Sequence, residues 1–211
     1  MIISGKTDKE HLQNINTVLD RLESYSLTAN LIKCHFFNDK ITYCGHVTDG
    51  DGLHHKSPDK VEAVVKSPRH ENMTQLRSFL GLVNYYRRFL PNLATVEAPL
   101  NQLLQHDNTW CWTDECDQSF QKVKELITSE QVLCHYNPKL PVKLACDASP
   151  HGLGSLLSHI TEDGTERPVA FASRSLTKAE TGYSQIDKKA LGLCWVYKSS
   201  TPISTVVVIL L

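Results

Sequence analysis

Apolar residues recur through residues 9–25, "KEHLQNINTVLDRLESY", at Leu12, Ile15, Val18, Leu19 and Leu22. Steps of three and four predict one stripe of an amphipathic helix. The pattern then changes to two short β-prone runs, 31–37 and 41–47, separated by Asn38-Asp39-Lys40 and followed by Thr48-Asp49-Gly50-Asp51-Gly52. A β-hairpin turning at 38–40, and then a second tight turn, is expected. His54-His55 are adjacent and cannot share a helix face, so they read as solvated loop. "SPDKVEAVVKSP" is a short helix, with Ser57 as N-cap, Pro58 at the first helical position and Pro68 beyond its end. In "ENMTQLRSFLGLVNYYRRFLP", Asn72 and Gln75 have capping-box spacing and the helix is expected to reach Pro91. Leu76, Phe79, Leu80, Val83 and Tyr86 form its apolar stripe.

A further short helix, "NLATVEAPLNQLLQ", precedes "TWCWTDECDQSFQKVKELIT", where Thr113 caps a helix with Asp114 and Glu115 in its first turn. Trp110 and Trp112 are expected to cover core. From Pro141 the period becomes two: Val142, Leu144 and Cys146 alternate with Lys143, Ala145 and Asp147, and two more strands follow, 154–160 and "RPVAFASRSL". Tyr183, Ile186, Ala190, Leu193 and Val196 then mark a helix, so the order is β-β-β-α. The tail 199–211, "SSTPISTVVVILL", is unlike what precedes it. It reads as an unrelated apolar segment, such as a change of frame would leave, or as an edge strand.

The 211 residues are 41% hydrophobic and 21% charged, ordinary values for a folded chain. No apolar run reaches the roughly 20 residues of a membrane-spanning helix and no signal peptide is apparent, so an intracellular protein, cytoplasmic or nuclear, is expected. Seven cysteines without a CxxC pair indicate neither a disulfide framework nor a zinc knuckle. Net charge is −1, but Lys56 to Leu90 holds seven cations against three acids. A local basic surface can meet phosphates even on a neutral chain.

Arg77, Gly81, Tyr85 and Arg88 fall on one side of the 72–90 helix. Glycine within a helix costs about 1 kcal/mol against alanine, so Gly81 is expected to admit something close to the backbone. Two candidates stand: another helix, which has the edge from residues alone, or the minor groove of a duplex.

The segments "ACDASPHGLGSLLSH", "RPVAFASRSL" and "YSQIDKKALGL" resemble the ribonuclease H region of Pol polyproteins from gypsy-type LTR retrotransposons. Upstream, "CHFFNDKITYCGHVTDGDGL", "SPDKVEAVV", "LRSFLGLVNYYRRFLPNLA" and "WCWTDECDQSFQKVKELI" are similar to the end of a reverse transcriptase palm, its thumb and the link to ribonuclease H. The resemblance implies an α+β fold: palm end with a primer-grip-like hairpin over 1–55, helical thumb over 56–110, and a partial ribonuclease H-like β-β-β-α unit over 111–198. It implies a template–primer duplex or RNA·DNA hybrid as partner, no membrane, with Arg77, Gly81, Tyr85 and Arg88 as duplex contacts and Tyr43, Gly45 and His46 in the hairpin that holds the primer end.

The departures bear on activity. The family's polymerase site uses a Tyr-x-Asp-Asp turn and an earlier Asp, and no such turn occurs in these residues. In ribonuclease H the family binds two Mg²⁺ ions roughly 3.5–4 Å apart through four acids. Asp147 corresponds to the first. Lys189, in Asp187-Lys188-Lys189-Ala190-Leu191, stands where the second, a Glu, is expected, and an ammonium there repels metal ions. Asp187 is two residues away, about 200° around a helix, and does not replace it. Asp147 is thus an orphan metal ligand and productive Mg²⁺ binding is not expected. Three readings follow: a catalytically inactive Pol fragment, a non-catalytic duplex or hybrid binder acting through the thumb-like helix, or a segment of a longer, active reverse transcriptase polyprotein.

Overall fold

Thr7 opens the first helix by accepting the Glu10 N–H at 3.2 Å, and α1 runs Asp8–Ser24 with Asp8 and Glu10 in its first turn. The computed structural model describes residues 1–50, 52–105 and 110–199 and the strand backbone of 207–210. It divides into two compact units, Met1–Asp39 and Lys40–Leu211. In the first unit, α1 buries Ile15. The expected strand over 31–37 does not form. Asn30 instead accepts the Ile32 N–H at 3.0 Å and starts a 3-10 turn, Leu31–Lys33, which leaves Ile32 92% exposed. A local side-chain cap outcompetes a ladder that has no partner strand, and the positive φ of Phe37, 53°, breaks the extended run.

The hairpin lies further along. β1 (Lys40–Tyr43), β2 (His46–Asp49) and β3 (His54–Lys56) form an antiparallel sheet in that order. Tyr43 faces His46 across Cys44-Gly45. Both loop residues have positive φ, 47° and 72°, the sign pattern of a type I′ turn, whose twist matches that of the strands. The turn is therefore at 44–45 rather than 38–40. His54 and His55 are strand residues, not solvated loop. Adjacent strand residues point to opposite faces, so His54 meets Thr48 Oγ at 3.0 Å and His55 meets Asp49 at 2.8 Å. Of the expected second turn, Asp51 lies outside the described residues.

Among the described residues five α-helices follow: α2 (Pro58–Val65), α3 (Met73–Tyr85), α4 (Leu93–Val96), α5 (Ala98–Gln102) and α6 (Asp114–Thr128). The cap of α3 is as expected, with Asn72 accepting the Gln75 N–H at 2.9 Å. Gln75 in turn accepts the N–H of Glu71, not of Asn72. The helix stops at Tyr85, however, and a 3-10 turn, Arg87–Phe89, carries the chain on. Leu76, Phe79, Val83 and Tyr86 pack with Phe120 and Ile127 into one core, against which Trp110 and Trp112 rest. Ser57 and Thr113 have extended N-cap backbones but make no capping side-chain bond. The Thr113 hydroxyl turns to Cys116 Sγ instead.

The second sheet contains β4 (Val142–Ala148), β5 (Gly152–Ile160) and β6 (Glu166–Ser175), followed by α7 (Gln185–Ser199). This is the expected β-β-β-α order. β7 (Val207–Leu210) lies parallel to β4, so the sheet order is β6-β5-β4-β7. Part of the tail that composition set apart thus extends this sheet, as its strand reading required; 200–206 and 211 lie outside the described residues. The buried face of α7 keeps Val196 and the partly buried Leu193 of the expected stripe but not the rest of it. Gly192 and Val196 face the sheet, whereas Tyr183 and Ala190 are exposed and Ile186 is 80% exposed. A Cβ on Gly192 would sit 3.9 Å from Leu153 and 4.0 Å from Cys146. Both distances are ordinary van der Waals contacts, and Lys188, one turn before Gly192, is also buried.

The stretch from Arg87 to Glu97 docks on that sheet. Arg87 donates to the Ser173 carbonyl at 2.6 Å, the Ala94 N–H donates to Ser173 Oγ at 3.0 Å, and Thr95 and Ser149 share a hydroxyl bond of 2.8 Å. A Cβ on Gly154 would fall 2.0 Å from Asn92 Oδ1, so glycine is what permits this approach. Glu97 is 4% exposed, and burial pushes its carboxyl up to about 7 against the opposing pull of Arg87. A folded-state value above the ordinary 4.5 means that the fold binds the extra proton between those pH values. Stability from this group is therefore full below pH 4.5 and falls as pH rises through 7. Glu97→Gln should remove this loss and raise unfolding free energy at pH 8 by up to about 3 kcal/mol. Denaturant unfolding at pH 5 and pH 8 tests it, and an equal effect at both would count against a buried titrating carboxyl.

Candidate nucleic-acid interface

The turn at Cys44-Gly45 meets the end of α3. Tyr86, fully buried, donates its hydroxyl to the Gly45 carbonyl at 2.6 Å. Burial pushes its pKa up, which preserves the donor. His46 stacks on Tyr85 at 5.2 Å between centroids and on Phe89 at 5.5 Å. Burial first, then the charges of Arg88 and Lys60, pull His46 below its ordinary pKa, so the ring sits neutral in the stack. Lys60 Nζ lies 4.1 Å over the Tyr85 ring, a cation–π contact. A Cβ on Gly45 would meet that ammonium at 2.7 Å, in a backbone conformation that already disfavours side chains.

Gly45, His46 and Tyr85 thus come together, with the Arg88 charge acting on His46, and Tyr43 is exposed beside them at the end of β1. Lys60 is part of this cluster and was not singled out in the sequence, where nothing links position 60 to position 45. Arg77 and Gly81 lie further up α3, exposed. A Cβ on Gly81 would meet nothing within 4 Å, so within this chain Gly81 does not serve the close helix packing that had the edge. Arg88 lies in the 3-10 turn, and the expected four-residue strip is a helical Arg77-Gly81-Tyr85 face followed by a change of geometry.

Much of the local basic excess is used internally. Lys56 donates to the Ser129 carbonyl at 2.5 Å, and burial lowers its pKa to about 8. Lys66 pairs with Glu62, Arg69 lies 3.6 Å from Asp117, and Arg87 is engaged at Ser173. Arg77 and Arg88 remain exposed.

Asp147 is exposed near the end of β4, where its Oδ1 accepts the Ala148 N–H at 2.8 Å. Gln185 donates to the Ala148 carbonyl at 2.6 Å and ties the start of α7 to the same strand end. Lys189, four residues on, shares that helix face. Asp187 is engaged in the cap instead: its N–H donates to Ser184 Oγ at 3.3 Å and its carboxylate accepts the Ser184 hydroxyl at 2.7 Å. Two Mg²⁺ ions need several carboxylate oxygens, and among the described residues no three acidic, imidazole or thiol groups converge as a metal-binding set. The residues present do not fit the pair of ions.

Residues 112–204 match the family model described as an RNase H-like domain found in reverse transcriptase. Over 193 residues, 92% of this chain, the sequence is 31% identical to the Transposon Tf2-3 and Tf2-4 polyproteins of Schizosaccharomyces pombe, so the chain resembles a reverse transcriptase/RNase H-like segment of retrotransposon Pol polyproteins. It spans 14% of the length of those relatives. Among solved structures, a foamy viral protease-reverse transcriptase in complex with RNA/DNA hybrid aligns with TM-score 0.83 at 20% identity, covering 98% of this chain and 28% of that one. The same viral protein in complex with dsDNA gives 0.83 and 20%, with 98% and 44% covered. At this identity the likeness establishes the fold. No helix among the described residues is long and apolar enough to cross a membrane.

Tyr86→Phe keeps the packed ring and deletes one donor. Loss of the Gly45 bond should lower unfolding free energy by about 1 kcal/mol, measured by urea denaturation; an unchanged value would mean that the hydroxyl does not fasten the turn.

Proposed function

We propose that this chain is a gypsy-type Pol segment that grips a nucleic-acid duplex without reacting on it. Residues 1–55 correspond to the end of a palm, 56–110 to a thumb and 111–198 to a partial ribonuclease H unit. The duplex lies along α3, where Arg77 and Arg88 meet phosphates and the bare backbone at Gly81 admits the minor-groove edge. Tyr43, Gly45 and His46 hold one strand end near Tyr85. The observation that carries this reading is the open space over Gly81 on an exposed face that also bears Arg77. The viral structures that share the fold contain hybrid or dsDNA, which supports a duplex as the ligand class. The donor set around Asp147 and the ammonium of Lys189 support binding without Mg²⁺-dependent cleavage.

A second reading, that these residues act within a longer active polyprotein, is favoured by the 14% coverage of the Tf2 relatives. The ribonuclease H step then still needs Lys189 reversed.

Gly81→Ala separates grip from stability. With nothing near the added methyl, the helix should gain about 1 kcal/mol, while affinity for a fluorescent RNA·DNA hybrid should fall. Arg77→Ala should weaken binding and reduce its salt dependence by about one counterion. Anisotropy at two salt concentrations and thermal denaturation provide the readouts. Gly81→Ala protein that is more stable and binds as tightly as the parent would refute the groove contact.

A further inference from the structure

Away from the duplex strip, two imidazoles converge. His54 Nε2 and His135 Nδ1 lie 3.2 Å apart, with ring centroids separated by 4.0 Å. We propose that they form a two-histidine site for a divalent transition-metal cation of the Zn²⁺/Ni²⁺ class, which clips β3 to the segment leading into β4.

The geometry suits one ion. With metal–nitrogen bonds of about 2.0–2.1 Å, two nitrogens this far apart subtend about 100° at the metal, between the octahedral and tetrahedral angles. Imidazole is a favoured donor for this class of ion. The rings are held by more than their own contact. His54 donates its N–H to the Leu133 carbonyl at 2.8 Å and accepts the Leu133 N–H at 3.1 Å. Leu133 is fully buried and anchors that pairing, and His135 follows two residues later, exposed. Thr48 Oγ sits 3.0 Å from His54 Nδ1. This outer partner orients the ring with Nε2 outward, as the second ring nitrogen of metal-bound histidines commonly requires.

Without metal, one of the two facing nitrogens carries the proton shared between them. Metal binding moves that proton to the other nitrogen of the same ring, so both facing nitrogens offer lone pairs and no proton leaves the protein. Burial also pulls His54 below its ordinary pKa, which favours the neutral ring. Water fills the other positions, because no third protein donor converges there among the described residues. The nearby Arg88 charge opposes an added cation while Asp49 favours it.

The test uses the full chain with thiols reduced, titrated with Ni²⁺ by calorimetry and followed by thermal shift. The parent should take up one equivalent and melt at higher temperature. His135→Ala, at an exposed position, should keep the metal-free melting temperature, bind at least about tenfold more weakly and lose the shift. His54→Gln should do the same, and His55→Gln should bind as the parent does. Absence of uptake by the parent, or equal affinity in His135→Ala, would overturn the proposal. The second result would place the ion on another of the ten histidines.

Discussion

The hydroxyl of Tyr86 is the constraint through which the site is organised. The residue ends α3, is fully buried, and uses its one polar atom on the carbonyl of Gly45. A buried donor left without a partner costs about 1–3 kcal/mol, so the tyrosine and the turn specify each other's position. Once the turn is fixed, His46 falls onto Tyr85 and Phe89, and Lys60 closes over Tyr85. The exposed face of α3 is then presented in a set relation to the hairpin tip. Sharing of charge follows from the same packing: cations near the core meet carbonyls or acids, and Arg77 and Arg88 are left outward.

The sheet that carries Asp147 is joined to this assembly by close backbone approach. Asn92 adopts left-handed φ of 51° and its side chain occupies the space a Cβ on Gly154 would need. Arg87 and Ala94 converge on Ser173. This joint fixes the strand end that carries Asp147, and around it the described residues assemble no set of three metal-binding groups. A scaffold for holding a duplex and a site for cutting one are separable, because the first needs cations and an open backbone and the second needs clustered acids.

Periodicity carried much of this organisation. The Asn72 cap, the apolar stripe of α3 and the β-β-β-α order are legible because each follows from local hydrogen bonding or from alternation along one element. The hairpin was misplaced because Leu31 and Ile32 look β-prone but are exposed in a 3-10 turn, while the real turn requires positive φ at Cys44, a residue that does not advertise it. The buried face of α7 is legible in part, through Val196 and Leu193, whereas Gly192 and Lys188 are buried without carrying a hydrophobic signal. At the site, Arg77 and Gly81 were visible as a helical face, whereas the Lys60–Tyr85–His46 cluster joins three elements and leaves no trace in spacing. The reading of Lys189 as standing at a glutamate position comes from the family resemblance alone and not from periodicity.

The proposed function requires that Lys189, and an Asp147 with no converging acids among the described residues, leave a bound duplex intact. The direct measurement is cleavage of the RNA strand of a labelled RNA·DNA hybrid by the purified 211-residue chain in Mg²⁺, under conditions where binding is saturated. The account predicts no cleavage above a protein-free control. Cleavage that disappears in Asp147→Asn would contradict it.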